Sequence, residues 1–309
     1  MAGVIVIGGA NVDIKGRALG SFVPGSSNPG EVRAAAGGVA RNIAENLARL
    51  GIAADLLSFV GNDANGRVVI EACRAAGVGI AMIEHCDEPT GVYLAVLDER
   101  GEMVGAINDM RNMEAFSVGV LERHSDRMAA AGLLVADCNL PAECLDWLCR
   151  FSARSGISLV LEPVSVAKAQ KLTTFRRSQP VFAITPNRMQ LSALTGCDDS
   201  GEAIRVLHDM GFANVIVHCG KEGAVVSAAG GGSPRAVTAY PVAKVSDVTG
   251  AGDAAVAGFV SGVMLGLDVA DAVRLGQAAA AVKLGSRNSV ATEISRDRVL
   301  SLAGVVLGT

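Results

Sequence analysis

The chain has 309 residues, of which 50% are hydrophobic and 4% aromatic, with a formal net charge of −4. That length supplies a sizeable core, as one large α/β domain with an excursion or as two domains. Mild acidity without a basic block excludes a broad nucleic-acid surface, and sparse aromatics argue against a stacking platform for single strands.

Val4–Ile7 is a short apolar run closed by Gly8-Gly9, which predicts a buried strand. Asn11 and Asp13 follow at its carboxyl end, the edge where open parallel sheets bind ligands; an Asx turn explains the pair equally simply. Residues 15–34 are polar and turn-rich. Gly37-Gly38 then opens a helix with an apolar stripe at Val39, Ile43, Leu47 and Leu50, and Gly51 fits its C-terminal cap. Arg41, Asn42 and Asn46 share that helix. Asp55–Val60 reads as the next strand and Gly66–Ala76 as the next helix. Residues 91–97 and 103–107 flank the charged turn Asp98-Glu99-Arg100-Gly101, a hairpin pattern. With residues 15–34 this hairpin is expected to build a small separate sheet, from lid segments at about 15–34 and 90–110 inserted in a 1–309 domain.

From residue 117 the pattern alternates between helix and strand. Val118–Met128 and 141–154, opened by Pro141, read as helices. Strands at Leu133–Ala136, Leu159–Leu161, Phe182–Ile184 and Val215–Val217 end in polar residues: Asp137-Cys138-Asn139, Glu162-Pro163, Thr185-Pro186-Asn187 and His218. A helix at about 202–210 precedes the last of these. Gly220-Lys221-Glu222-Gly223 is a tight turn into Ala224–Ser227, and residues 236–245 read as strand and turn. Val269–Leu284 is an Ala-rich helix. These βα units predict a mainly parallel sheet with helices on both faces.

The seven cysteines (Cys73, Cys86, Cys138, Cys144, Cys149, Cys197 and Cys219) form no Cys-x-x-Cys pair, which suits reduced, mostly buried thiols. No secretory leader is evident, and the apolar run 254–267 is too short to span a bilayer. A soluble cytoplasmic protein without membrane or nucleic-acid partners is expected.

The stretch with most chemical content is Asp247-Val248-Thr249-Gly250-Ala251-Gly252-Asp253. Apolar positions at Val256, Phe259, Val260, Val263, Met264 and Leu267 mark a helix that begins within it. Gly250 and Gly252 therefore lie at a helix N-terminus, where free N–H groups and the dipole favour an anion. Asp253 falls in the first turn, placed to take a proton from an attacking hydroxyl. Gly-x-Gly with a first-turn Asp also occurs for capping reasons alone.

The Asp-x-Thr-Gly-Ala-Gly-Asp string resembles the C-terminal signature of the ribokinase-like (PfkB) family of sugar and nucleoside kinases. Gly37-Gly38-x-x-x-Asn42 resembles its N-terminal signature, and the likeness covers nearly the whole chain. It implies a ribokinase-like α/β fold with a small β-sheet lid, which is often the homodimer contact, and ATP with Mg2+ as donor. It implies Asp253 as base and Gly250, Ala251 and Gly252 as the γ-phosphoryl cradle. Asn11, Asp13, Gly37, Gly38, Asn42 and Asn139 would bind the sugar. Asn187, Gly220, Gly223, Thr249 and Gln277 would meet the nucleotide. A monovalent cation such as K+ would lie near Asp247 and the 283–288 loop.

Three positions depart from the family pattern. Gln190 stands where a Glu usually organises Mg2+ through water, so its contribution to the metal is weaker. Glu162 replaces a shorter Asp, and His218, read as a packed strand-end residue, replaces a small hydroxyl residue. Ser27-Asn28-Pro29-Gly30, Gly37–Ala44, Gly101-Glu102-Met103, Ala106–Met110 and Val135–Asn139 resemble the branch of the family whose acceptor is the ribose 5′-hydroxyl of pseudouridine. On that reading Asn28, Asn108 or Asp109 could recognise the base. The alternatives are another nucleoside or sugar kinase of the family, or a catalytically weak nucleoside-binding regulator. A nicotinamide dehydrogenase fits poorly, because Gly8-Gly9-Ala10-Asn11-Val12-Asp13 lacks the Gly-x-Gly-x-x-Gly spacing.

Overall fold

The computed structural model describes residues 2–173 and 181–305. Thirteen strands are present among them: β1 Val4–Ile7, β2 Asn11–Ala18, β3 Gly30–Gly37, β4 Ala54–Gly61, β5 Ile83–Cys86, β6 Gly91–Leu97, β7 Met103–Asp109, β8 Leu133–Asp137, β9 Leu159–Glu162, β10 Val181–Ile184, β11 Phe212–His218, β12 Ala224–Ala228 and β13 Arg235–Val237. Nine form one sheet in the order β13-β12-β11-β10-β9-β8-β1-β4-β5; the other four form a second sheet in the order β3-β2-β6-β7. In the large sheet only the β11–β12 and β12–β13 pairs are antiparallel.

The pleat explains why β1 is apolar at every position. Val4 and Val6 pack into the core on one face, with Ile43, Leu47, Phe259 and Ala279. Ile5 and Ile7 pack into the core on the other, with Leu145, Leu148, Leu191 and Leu207. A strand covered by helices on both sides can carry no polar alternation. On the first face the helices Ala251–Met264 and Val269–Leu284 lie against each other almost backbone to backbone. A Cβ on Gly258 would stand 2.7 Å from the Leu275 carbonyl, and one on Gly276 would stand 2.5 Å from that of Ala255. This close approach holds the N-terminus of the 251–264 helix firmly over the sheet edge.

Three expectations change in detail. The lid begins at Asn11 rather than near residue 15, because β2 continues directly from the end of β1. The expected small separate sheet is present: β2 pairs antiparallel with β3 and parallel with β6, and β6 pairs with β7. The 118–128 stretch is two short helices, Val118–Arg123 and Ser125–Ala129, interrupted at His124. The 236–245 strand shrinks to β13, with irregular chain from 238 to the helix cap at Gly250. β5, too short and polar to read from periodicity, adds the far edge of the sheet. No helix of the described residues is long and apolar enough to cross a membrane.

Candidate active site

The carboxyl ends of β1 and β8 meet the N-terminus of the Val39–Arg49 helix, and Asp137 ties the three together. It is fully buried and accepts hydrogen bonds from the backbone N–H of Gly9 (2.9 Å), Ala40 (3.0 Å) and Asn139 (2.9 Å). Burial raises its pKa, and the bonds from Gly9 and Asn139 and the Lys168 charge oppose the rise. A side chain on Gly8 would strike the Asp137 carboxyl at 2.4 Å. The glycines here are therefore dictated by close approach.

The predicted sugar-binding residues gather around this junction. Asn11 Nδ2 donates to Asp13 Oδ1 at 2.7 Å. The Asp13 carboxyl lies 2.4 Å from where a Cβ on Gly37 would be, so Gly37 leaves it room. Gly38 has φ +98° and its missing Cβ would collide with Gly9 O at 2.4 Å. Asn139 stands over Gly9, and its Oδ1 accepts from Lys168. Buried Arg41 donates to Gly37 O at 2.9 Å and binds Glu45 and Asn42 Oδ1, which fixes the Asn42 amide. Asn42 Nδ2 then donates to Asp253 Oδ2 at 2.6 Å. The two sequence signatures, 211 residues apart, thus meet through one hydrogen bond.

Asp253 lies in the first turn of the 251–264 helix. Burial pushes its carboxyl up to about 7; the Asn42 bond opposes this and the Asp137 charge adds to it. Gly250 caps the helix in the left-handed conformation, φ +83°, and a Cβ on it would meet Ser289 O at 2.0 Å. No side chain caps the helix. The Ala251 N–H turns back to Val248 O at 3.2 Å, while a Cβ on Gly252 would meet nothing within 4 Å. The open end of the dipole therefore lies at Gly252 and Asp253.

A cavity of about 570 Å³ adjoins this end, with Ala251 and Gly252 in its wall. Gly220, Gly223 and Gln277 line it, together with Tyr240, Val248 and His218. Its walls are mostly apolar, which suits a flat base. His218 ends β11, as read from the sequence, and also lines this cavity. Its Nε2 is buried with no hydrogen-bond partner, and burial pushes its pKa down to about 4, so the ring is neutral. Asn187 and Thr249 are not in the cavity wall. Asn187 Oδ1 caps the Arg188–Thr195 helix through Gln190 N–H at 2.9 Å, and Gln190 Oε1 accepts from Asn187 N–H at 2.8 Å. This reciprocal capping box engages the Gln190 oxygen, so the expected water-mediated link from Gln190 to Mg2+ finds no support in the geometry.

Glu162 sits deeper. It accepts from Thr185 Oγ1 at 2.6 Å and Val164 N–H at 3.1 Å, yet burial pushes it up to about 8, with Asp253 and Asp137 adding to the rise. Among the described residues no three His, Cys, Asp or Glu side chains converge as a metal cluster.

The residues expected to hold a monovalent cation do not fit one. Asp247 Oδ2 is paired with Lys15 Nζ at 2.9 Å, and the Asp247 carbonyl accepts from Lys283 Nζ at 2.6 Å. Burial alone would raise the Asp247 carboxyl, but Lys15 and the Thr249 donors bring it below its usual value. Sequence reading missed Lys15 and Lys168, met Lys283 only as the start of the 283–288 loop, and saw Asp137 only as a strand end within the Val135–Asn139 stretch. Their partners are distant in the chain, so no spacing assigns these roles. In the expected base-reading set, Asn28 bonds to Val23 and Ser26 within its own turn, and Asp109 pairs with Arg111.

Residues 1–295 match the family described as pfkB family carbohydrate kinase. The pseudouridine kinase of Escherichia coli K12 is 34% identical, over 97% of this chain and 96% of that protein. A structure titled carbohydrate kinase from Agrobacterium tumefaciens superposes with a TM-score of 0.86 at 31% identity, covering 99% of this chain and 98% of that one. Arabidopsis thaliana ribokinase complexed with ribose and ATP shares the fold with a TM-score of 0.85 at 24% identity, over 99% of this chain and 100% of that one.

Proposed function

The chain belongs to the pfkB family of carbohydrate kinases, and from that premise we propose that it transfers the γ-phosphoryl group of ATP to the ribose 5′-hydroxyl of pseudouridine. The observation that carries the proposal is Asp253: a carboxyl near neutrality, oriented by Asn42, at an uncapped helix N-terminus that opens on a nucleotide-sized cavity.

Asn11, Asp13, Asn42 and Asn139, with the backbone at Gly37 and Gly38, hold the ribose. Asp253 removes the proton from the acceptor hydroxyl as it attacks in line, and a pKa of about 7 suits a base working near neutral pH. The N–H groups of the Gly250–Gly252 turn and the helix dipole stabilise charge on the transferring group. Gly220, Gly223 and Gln277 frame the nucleotide, and His218 presents a neutral ring to it. When bound, Mg2+ neutralises phosphate charge. Among the described residues no carboxylate cluster would hold the metal directly, so ATP would carry it, and the half-buried Glu162 beside Thr185 would offer its carboxyl to the metal's waters only once deprotonated.

The lid is proposed as the homodimer contact. Its strands expose Val32 (73%), Met103 (61%) and Ile107 (68%), an apolar surface that a second copy would cover. Ile107→Ser with Met103→Ser should shift the oligomeric state in sedimentation toward monomer; an unchanged state would move the contact elsewhere.

The deciding measurement is ATP-dependent phosphorylation of pseudouridine beside uridine, ribose, adenosine and inosine. Preference for pseudouridine supports the proposal. Preference for another acceptor keeps the kinase and Asp253 but replaces the substrate. Tight nucleoside binding without turnover would make the protein a binder.

A further inference from the structure

Lys283 lies in the last turn of the Val269–Leu284 helix and is fully buried, a position where an ammonium group needs oxygen partners. Its Nζ donates to the Asp247 carbonyl at 2.6 Å and lies 3.4 Å from the Ser286 carbonyl. Those two carbonyls belong to the two loops that meet behind the anion cradle. The loops are joined again where Ser246 N–H donates to Leu284 O at 2.8 Å and where Gly250 abuts Ser289 O. Lys15 Nζ, from the lid, closes the arrangement with bonds to Asp247 Oδ2 (2.9 Å) and Thr249 Oγ1 (3.1 Å).

We propose that Lys283 is a tethered cation that takes the place of a bound monovalent ion, so that the Asp247–Gly252 loop is held in its phosphate-binding shape without K+. The inference rests on the kinase reading for the loop's purpose, but not for the Lys283 contacts. A lysine ammonium has the charge of K+ and offers three donors to carbonyl oxygens. Being covalently attached, it needs no free ion to be captured. A metal ion at the same carbonyls would face two ammonium groups, Lys283 and Lys15, at close range.

The test compares wild type and Lys283→Ala at equal ionic strength in K+, NH4+, Na+ and tetramethylammonium chlorides. Two readouts are taken: melting temperature without substrates and rate of acceptor phosphorylation. Wild type should show the same melting temperature and rate, within about twofold, in all four salts. Lys283→Ala should melt lower and lose about tenfold or more in rate in tetramethylammonium, and K+ or NH4+ should restore part of both. Lys283→Met, whose apolar chain fills the space, should be impaired and not rescued. A wild type that needs K+, or a Lys283→Ala that matches wild type in all salts, overturns the proposal. If Lys283→Ala does not fold, the salt-independence of wild type still decides. The melting readout needs no substrate, so failure of the kinase reading leaves a distinct signature: salt behaviour as predicted, with no turnover.

Discussion

The lid sheet and the 247–253 turn are built on opposite principles. The turn is held by close backbone contact. Gly250 touches Ser289, Asp253 is oriented by Asn42, and Lys283 is buried beneath. The lid carries exposed apolar side chains at Val32, Met103 and Ile107, and reaches across to the turn through Lys15. Phosphoryl transfer demands preorganised donors that do not move when charge develops, so the core supplies them. In the proposed reading the choice of acceptor falls to the lid, whose strands β3 and β7 are largely exposed. Perturbing the turn should therefore abolish chemistry, while perturbing the lid should shift recognition and assembly.

The largest effect is expected at Asp253. Asp253→Asn should lower kcat by about 10²–10⁴-fold or more and change nucleoside affinity little. The same variant should be more stable than wild type, with a definite pH dependence. The folded-state pKa is raised from 3.8 to about 7, so the folded protein binds a proton that the unfolded chain releases between those values. Wild-type stability from this group is therefore present below pH 3.8 and lost as pH rises toward 7. The gain in melting temperature from Asn should be greatest above neutrality and vanish in acid. A stability difference that does not vary with pH would show that Asp253 is not the desolvated group described here. In wild type, kcat/KM should fall tenfold per unit below about pH 7, as the base becomes protonated.

Next comes Asp137. Asp137→Ala would strand the N–H groups of Gly9, Ala40 and Asn139 in the interior. Each unsatisfied donor costs about 1–3 kcal/mol, so urea unfolding should show a loss of about 3 kcal/mol or more. A loss below about 1 kcal/mol would mean that water replaces the carboxylate and that Asp137 does not organise the junction.

The two regions also differ in how far the sequence discloses them. The turn is written in consecutive residues: glycines where a Cβ would collide, a first-turn Asp, then a helical stripe. The apolar runs of β1, β8 and β9 disclose the parallel sheet for the same local reason. What could not be read is long-range. Asp137 serves Gly9 and Ala40, which are 128 and 97 residues away. Lys15 serves Asp247, 232 residues away. No spacing rule joins such partners. Gln190 is a different kind of case. Asn-x-x-Gln is a capping-box pattern legible in the sequence, and the structure shows it used as one. Comparison with the family's Glu drew attention to a metal instead.

Lys15 ties the lid to the turn, alongside the 3.5 Å contact of Ser289 with Asp13, and its substitution should have the smallest effect of this series. The ion pair with Asp247 leaves both side chains about a quarter exposed (29% and 24%), so its net worth is about 1 kcal/mol at most. Lys15→Met should accordingly leave the melting temperature nearly unchanged. Its effect should appear in kcat/KM for the acceptor, because the lid would lose a tie that sets its position over the turn. A fall of about fivefold is expected, an amount equivalent to about 1 kcal/mol. The turn keeps Lys283 and the Ser246–Leu284 bond in this variant, so a comparable drop in kcat at saturating acceptor is not expected. If kcat falls as far as kcat/KM, Lys15 belongs to the transfer machinery rather than to the lid, and the division between the two regions must be redrawn at β2.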